Sequence, residues 1–366
     1  MERKKSTIAF SEAFSVAQFQ ADILTFYQKN GRDFPWRNRH DPYAIWVSEI
    51  MLQQTRAEKV RGFFPSFLTD FPNVSALASA SEDALLRNWA GLGYYQRARN
   101  MQQAAKRIMR EFSGSFPSTY AEIRSLPGIG PYSAAAIASI AFRLPVAAVD
   151  ANISRIFSRL FFLEGQLKSG RGLQTVQDFA DSLLHRESPG TWNQALMDFG
   201  ALVCLPRNPR CSLCPVSSFC GSFRKGVVDQ FPERAAKKRP LTVFVDMGWV
   251  LDQDKVLIVK RGKQGVLRGM WSLPHVESSH PLEGTPHDLV NLLGGMGFSV
   301  QQIRFQGTFR HVFSHRVWMV RLFCLSLLPQ TEKGRGAGGK WLTTSELRQT
   351  KLASAFQKAI QKMAGM

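Results

Sequence analysis

Acidic side chains are scarce in this 366-residue chain. Asp and Glu total 28 against 47 Lys and Arg, which leaves a formal charge of +19. That surplus concentrates polyanions through phosphate contacts and counterion release, so nucleic acid is the expected partner; the bland alternative is charge that only keeps the protein soluble. Long apolar runs are also missing. The best candidate, Ser133 to Phe142, is small and falls short of the roughly 18 residues a membrane helix needs. Basic residues open the chain at Arg3, Lys4 and Lys5, but Ser11, Glu12, Ser15 and Gln18 break the following segment, which makes it a poor secretory signal. These absences predict a soluble protein of the cytoplasm, with no membrane partner. Disordered, collagen-like and coiled-coil classes are excluded by a composition that is 44% hydrophobic with 28 Gly and 18 Pro.

Cysteine is rare, and four of the five residues cluster. Cys204, Cys211, Cys214 and Cys220 read C-x6-C-x2-C-x5-C. Disulfides do not persist in a reducing cytoplasm, so four thiolates this close suit one metal centre, either zinc or an iron–sulfur cluster. Zinc sites favour two C-x2-C pairs, and this run has one. Cys324 lies in the apolar stretch Leu322 to Leu328 and is read as core.

The chain changes texture near its middle. From about 12 to 205 the apolar spacing is helical, over Val16–Tyr27, Tyr43–Gln54, Tyr94–Phe112, Tyr132–Phe142, Ile153–Phe162 and Thr191–Leu205. Residues 226–240, with Phe231-Pro232-Glu233-Arg234 and Lys237-Lys238-Arg239-Pro240, read as a basic linker. Beyond Pro240, Val243–Leu251, Lys255–Lys260, Arg304–Phe313 and Arg316–Leu325 read as strands, with helices near 286–294 and 354–363. The fold class is a mainly α N-terminal region, 1–225, followed by an α+β domain, 241–366. Lys333–Lys340, rich in glycine, reads as a flexible loop.

Three local patterns carry chemistry. Leu126-Pro127-Gly128-Ile129-Gly130-Pro131 joins two helical stretches. Gly128 and Gly130 allow a tight turn whose N–H groups, with the positive end of the next helix, form a phosphate cradle. An ordinary helix connection would look the same in isolation. Asp150 precedes a helix and is read either as a plain N-cap or as a carboxylate that the helix end keeps ionised. Glu49 lies between Ile45-Trp46 and Leu52-Gln53. If buried there, it holds its proton to higher pH; if not, it is a solvent-facing Glu. One protonated and one ionised carboxyl are what glycosidic cleavage needs, the first assisting the leaving group and the second facing a cationic sugar.

The Gly128–Gly130 hairpin, followed by Tyr132-Ser133-Ala134-Ala135-Ala136, then Asp150 and the cysteine run, resembles the endonuclease III superfamily of helix–hairpin–helix DNA glycosylases. Phe34-Pro35-Trp36-Arg37, Ser48 to Thr55, Gly91-Leu92-Gly93-Tyr94-Tyr95 and Trp192 to Met197 resemble its adenine-glycosylase family, over essentially the whole chain. The resemblance implies a six-helix bundle over about 30–140 and an iron–sulfur module from 1–29 with 141–225. It implies one 4Fe–4S cluster on Cys204, Cys211, Cys214 and Cys220. It further implies a monomeric, monofunctional enzyme of base excision repair, which removes adenine mispaired with 8-oxoguanine or guanine in duplex DNA. Glu49 and Asp150 would be catalytic, assisted by Tyr132 and Asn152. Arg32, Trp36 and Gln194 would recognise the extruded adenine. Gln54 and Tyr94 would fill or wedge the stack, with Gly128 and Gly130 on the backbone.

Two departures bear on mechanism. The glycosylase/lyases of the superfamily carry a nucleophilic Lys where this chain has Tyr132, so no such Lys is available. Ala151 stands where Gly is more usual, a small change that leaves the assignment of Asp150 intact. The C-terminal region resembles a Nudix domain at Gly265 to Pro274, yet His275 to Phe298 offers only Glu277, Glu283 and Asp288 and no Glu-rich metal box. It is therefore expected to recognise and not to hydrolyse. Phe313-Ser314-His315 reads as a hairpin turn from sequence, and by resemblance as the 8-oxoguanine reader. The competing functions are an endonuclease III-like glycosylase/lyase on oxidised pyrimidines, an iron–sulfur DNA-binding redox sensor and a Nudix hydrolase.

Overall fold

A computed structural model describes residues 14–37, 39–165, 167, 170–233, 239–262, 265–313, 315–328, 339–350 and 352–364. The chain divides into two compact units, one running to Asn88 and from Gln96 to Ala236, the other comprising Trp89–Tyr95 and the chain from Lys237 onward.

The first unit is helical. It begins with α1 (Val16–Asn30), α2 (Pro42–Leu52), α3 (Ala57–Asp70), α4 (Val74–Ser79) and α5 (Glu82–Trp89). Then come α6 (Gln96–Glu111), α7 (Tyr120–Ser125), α8 (Pro131–Phe142) and α9 (Ala151–Phe161). It closes with α10 (Gly170–Ser182), α11 (Pro189–Leu202) and the short α12 (Gly221–Arg224).

Local chemistry sets the helix starts. Asp41 accepts from the N–H groups of Tyr43 and Ala44, and Pro42 supplies the first helical residue of α2. Thr119 and Glu122 form a reciprocal capping box on α7. α2 is buried all the way round, from Tyr43 to Met51, and packs against α3, α6 and α8. The Ala-rich face of α8 admits close neighbours: a Cβ on Gly190 of α11 would sit 2.7 Å from the Ser139 carbonyl oxygen.

A separate apolar cluster joins the chain's start to its later helices. Phe19 and Ile23 of α1 pack with Ile153, Ile156 and Phe157 of α9, and with Trp192 and Phe199 of α11. Cys204, Cys214 and Cys220 pack against the same cluster.

The second unit is built on a sheet of β1 (Leu241–Asp252), β2 (Lys255–Lys260), β3 (Trp271–Ser272), β4 (His275–Ser278), β5 (Val300–Val312), β6 (Arg316–Leu327) and β7 (Gly339–Thr343). The main order is β3-β2-β1-β6-β5; β4 pairs with β1 and β7 with β2. β1 and β6 run parallel and the other pairs antiparallel. Helices α13 (His287–Gly295), α14 (Thr344–Gln349) and α15 (Ser354–Ala364) complete it. Leu289 and Leu293 of α13 bury against Val250, Leu257, Phe323 and Leu325 of the sheet. No helix among the described residues is long and apolar enough to cross a membrane.

Several boundaries differ from expectation. α2 stops at Leu52, so Gln54 lies outside it with φ +58°, and α6 starts at Gln96, leaving Tyr94 in a turn with φ +49°. Gly91 and Gly93 in that turn also take positive φ, which ends helical propagation there. α11 ends at Leu202, ahead of the cysteines. Of the expected loop at Lys333–Lys340, residues 333–338 lie outside the described residues, and Gly339 and Lys340 pair with Val259 and Ile258 in β2.

Candidate active site and cysteine cluster

A cavity of about 620 Å³ opens between α2, α8, α9, α11 and the segment around Trp36. Its wall includes Arg32, Trp36, Glu49, Tyr132, Asp150, Asn152 and Gln194, seven residues singled out from the sequence and separated by up to 162 positions. Arg37, Ile140 and Met197 line it too. No lysine does, among the described residues.

Glu49 sits on the inner face of α2 with 5% exposure. Its Oε2 has no hydrogen-bond partner among the described residues. Burial pushes its carboxyl up from 4.5 to about 7, and the nearby Asp150 charge adds to the rise; Arg37 and the Tyr132 hydroxyl pull the other way. Loss of solvation wins, because a carboxylate with one oxygen unpartnered is poorly tolerated away from water. Tyr132 enters from the first turn of α8. Burial, with the charges of Glu49 and Asp150, holds its phenol well above the usual range, so it remains a neutral hydroxyl, and it donates to Met197 Sδ at 3.4 Å.

Asp150 caps α9, accepting from the Ile153 N–H at 2.8 Å and from Asn152 Nδ2 at 2.7 Å. At Asp150 the helix end is not the larger influence on titration. Burial raises its pKa despite the opposing bonds from Ile153 and Asn152, since about one buried turn of helix dipole is worth less than full solvation. Arg155 then braces the pair, donating to Asn152 Oδ1 at 3.0 Å, to the Gly200 carbonyl at 2.8 Å and to the Cys204 carbonyl at 2.8 Å.

Two of the pocket's arginines, Arg32 and Arg37, share one anion. Asp198, fully buried on α11, accepts from Arg32 Nη2 at 2.7 Å, from the Arg32 backbone N–H at 2.8 Å and from Arg37 Nη2 at 3.0 Å. Gln194 Oε1 accepts from Arg37 and from the Tyr27 hydroxyl. Trp36 stacks on Phe34 at 4.7 Å. Sequence reasoning missed Arg37, Tyr27 and Asp198. Arg37 adjoins Trp36 in a motif already noted, whereas Asp198 had no local signal beyond an acid on an otherwise apolar helix.

Elsewhere in this unit, Gly128 takes φ +80° in the α7–α8 hairpin, where a Cβ would lie 2.7 Å from Asn100 Cβ, and Gly130 caps α8 without a side chain. Gln54 is exposed; Tyr94, which belongs to the second unit, is 40% exposed. In the second unit, Phe313 and His315 occupy the β5–β6 turn, closed by the Phe313 N–H donating to the Arg316 carbonyl at 2.8 Å. Phe313 packs edge-on against Trp318 and His311, while His315 is exposed. Ser314 lies outside the described residues.

Cys204, Cys211, Cys214 and Cys220 are all partly buried and line one cavity with Arg159 and Val216. Arg159 donates to Cys204 Sγ at 3.4 Å and to the Leu205 carbonyl at 2.7 Å. Burial pushes Cys214 up to about 12 and raises Cys211 and Cys220, with the neighbouring thiols adding to each rise. Four sulfurs on one cavity, with Cys211, Cys214 and Cys220 resisting ionisation alone, suit a group whose positive metal charge offsets the thiolates. The residues fit such a group.

Fold and cavity together define a helix–hairpin–helix DNA glycosylase of base excision repair. Residues 47–175 match the HhH-GPD superfamily of base excision DNA repair proteins, 204–220 the iron–sulfur binding domain of endonuclease III, and 246–362 the NUDIX domain. An adenine DNA glycosylase of Mus musculus is 30% identical over 96% of this chain and 79% of that protein. One from Buchnera aphidicola is 33% identical over 81% and 83%. The chain belongs to the adenine DNA glycosylase family. Among solved structures, a thermostable thymine-DNA glycosylase matches with TM-score 0.54 and 30% identity, over 57% of this chain and 97% of that one. An endonuclease III–DNA complex shares the fold at TM-score 0.50 and 19% identity, over 58% and 98%. The enzyme therefore acts on DNA and carries an iron–sulfur binding domain.

Proposed function

We propose that the enzyme excises adenine opposite 8-oxoguanine or guanine by hydrolysis, without lyase chemistry. The observation that carries this reading is the meeting of Glu49 and Asp150 in one lysine-free cavity. The target bond is inaccessible inside a duplex, so adenine must be extruded into the cavity. Glu49, neutral up to about pH 7, then donates its proton to the base and weakens the glycosidic bond. Asp150, held by the Ile153 N–H and Asn152 Nδ2, faces the positive charge that develops on the sugar. Tyr132 contributes a neutral hydroxyl in place of a nucleophilic amine. Asn152 orients Asp150, and Arg32, Trp36 and Gln194 form the bed for the adenine.

The Gly128–Gly130 hairpin takes the phosphate backbone, and Gln54 and Tyr94 enter the stack. Phe313, Ser314 and His315 read the 8-oxoguanine, Phe313 as anchor and the other two as hydrogen-bonding groups. Cys204, Cys211, Cys214 and Cys220 hold one 4Fe–4S cluster. When bound, it supplies thiolate bonds that tie together a segment poor in large apolar residues. The enzyme works as a monomer in the cytoplasm, at the nucleoid. Duplexes with adenine opposite 8-oxoguanine, adenine opposite thymine, and thymine glycol opposite adenine test the reading. Excision confined to the first, with strand breaks only after alkali, supports it. Breakage without alkali, or attack on thymine glycol, refutes it.

A further inference from the structure

Helix α2 carries Glu49 but has no basic residue in its last turn. Its terminal carbonyls lack partners within the helix, as at any helix end, and so require an outside donor. Arg97 of α6 supplies it. Its Nη1 donates to the carbonyls of Ile50 at 2.8 Å, Met51 at 2.8 Å and Gln53 at 2.6 Å, and its Nη2 donates to Thr55 Oγ1 at 3.0 Å. Arg97 is 8% exposed, so this is a buried cation at the negative end of a helix, held by charge-assisted bonds. The Gln53 side chain faces the hairpin, donating to Ser133 Oγ at 3.1 Å and to the Gly128 carbonyl at 3.4 Å. Between these two anchors Gln54 is exposed at φ +58°, a left-handed conformation that a residue other than glycine keeps only when its surroundings impose it.

We propose that Arg97 is a positioning residue for base extrusion. Its guanidinium locks the Leu52–Thr55 turn so that Gln54 is presented to the DNA stack in one conformation, while the end of the Glu49 helix stays fixed. The proposal rests on the reading of Gln54 as the residue that enters the stack. Lysine at 97 keeps the charge but not the fork: one ammonium cannot span three carbonyls and a hydroxyl in the same geometry.

The test uses the full-length protein and a duplex with 2-aminopurine beside the adenine opposite 8-oxoguanine. Its fluorescence rise reports extrusion, and single-turnover cleavage reports excision. Arg97→Lys is expected to slow extrusion by about tenfold or more, and Thr55→Val, which removes one bond, by a few-fold. On a duplex whose target adenine is an unpaired bulge, where little extrusion is needed, the loss shrinks several-fold. Gln54→Ala follows the same pattern. If Arg97→Lys fails to fold by circular dichroism, Thr55→Val decides the matter. Equal losses on paired and bulged adenine would show a merely structural role and overturn the proposal. Normal extrusion in Gln54→Ala overturns the reading of Gln54 and the proposal with it. Slow extrusion in Gln54→Ala beside normal extrusion in Arg97→Lys and Thr55→Val overturns the proposal alone.

Discussion

Replacing Glu49 by Gln should stabilise the protein at alkaline pH while disabling it. The carboxyl is pushed from 4.5 to about 7 by burial. Between those values the native protein holds a proton that the unfolded chain has released, so stability falls as pH rises through this window. At about 1.4 kcal/mol per decade of proton affinity, the full cost above pH 7 is about 3 kcal/mol. Glutamine keeps the shape and cannot ionise, so the cost disappears. An amide in that apolar spot has its own penalty for unmade hydrogen bonds, but that penalty does not change with pH. The clean quantity is therefore the difference between Glu49→Gln and wild type at pH 8, minus the same difference at pH 5. Part of the cost is already in place at pH 5, so the expected value is about 2–3 kcal/mol. For a helical unit of this size it corresponds to roughly 5–10 °C in melting temperature.

Calorimetry of both proteins across pH 5 to 8 reads this directly. Parallel melting-temperature curves would mean that Glu49 titrates like an exposed side chain, and the argument for a proton held in the cavity would fall. The same titration fixes the sign for catalysis. Wild-type single-turnover excision should decline as pH rises past about 7, and Glu49→Gln should lose about 100- to 10,000-fold at any pH.

Asp150→Asn should be comparably damaging, because a neutral amide cannot face a cationic sugar, while DNA affinity measured by filter binding stays within a few-fold of wild type; near-normal excision would remove Asp150 from the mechanism. Cys211→Ser should lower bound iron and the visible absorbance and leave the protein poorly folded; colourless wild type with stoichiometric zinc and full activity would overturn the cluster assignment. Replacing Ser314 and His315 together with Ala should cut the preference for 8-oxoguanine over guanine by about one to two decades, at about 1.4 kcal/mol per decade and roughly 0.5–1.5 kcal/mol per hydrogen bond. An unchanged preference would make that turn purely structural.

Much of the site is legible in the sequence because its signals are local. The Gly128–Gly130 hairpin, the cap at Asp150 and the cysteine spacing each depend on a few neighbouring residues, as does the switch from helical to alternating apolar spacing after Pro240. The local pattern around Glu49 fits a solvent-facing side chain as well as a buried one, and only the packing of α2 shows it buried. What local pattern does not reveal is long-range pairing. Asp198 meets Arg32 and Arg37 across 166 and 161 positions, and Arg97 reaches back 44 to Gln53. Helix α3 is obscured by Pro65 within it and α10 by its opening glycines, although packing carries both. The burial of Asp150 is hidden for a related reason: an N-cap is visible in sequence, but the depth at which it sits is not.

Arg37 lies near Glu49 and, taken alone, favours its ionised form. Asp198 limits that effect. Fully buried, it takes bonds from both Arg32 and Arg37, so much of their positive potential is spent on an anion that never leaves. What remains of the Arg37 field lowers the pKa of Glu49 by less than burial raises it. The balance changes once the proton moves. Transfer to an extruded base leaves a carboxylate at Glu49, and the residual attraction of Arg37 acts fully on that state and hardly at all on the neutral acid before it. An interaction that strengthens as the reaction proceeds lowers the barrier, whereas one of equal strength in both states only tightens binding. In the proposed mechanism the Arg37–Asp198 pair would thus let Glu49 stay protonated up to about pH 7 and still release its proton to the base.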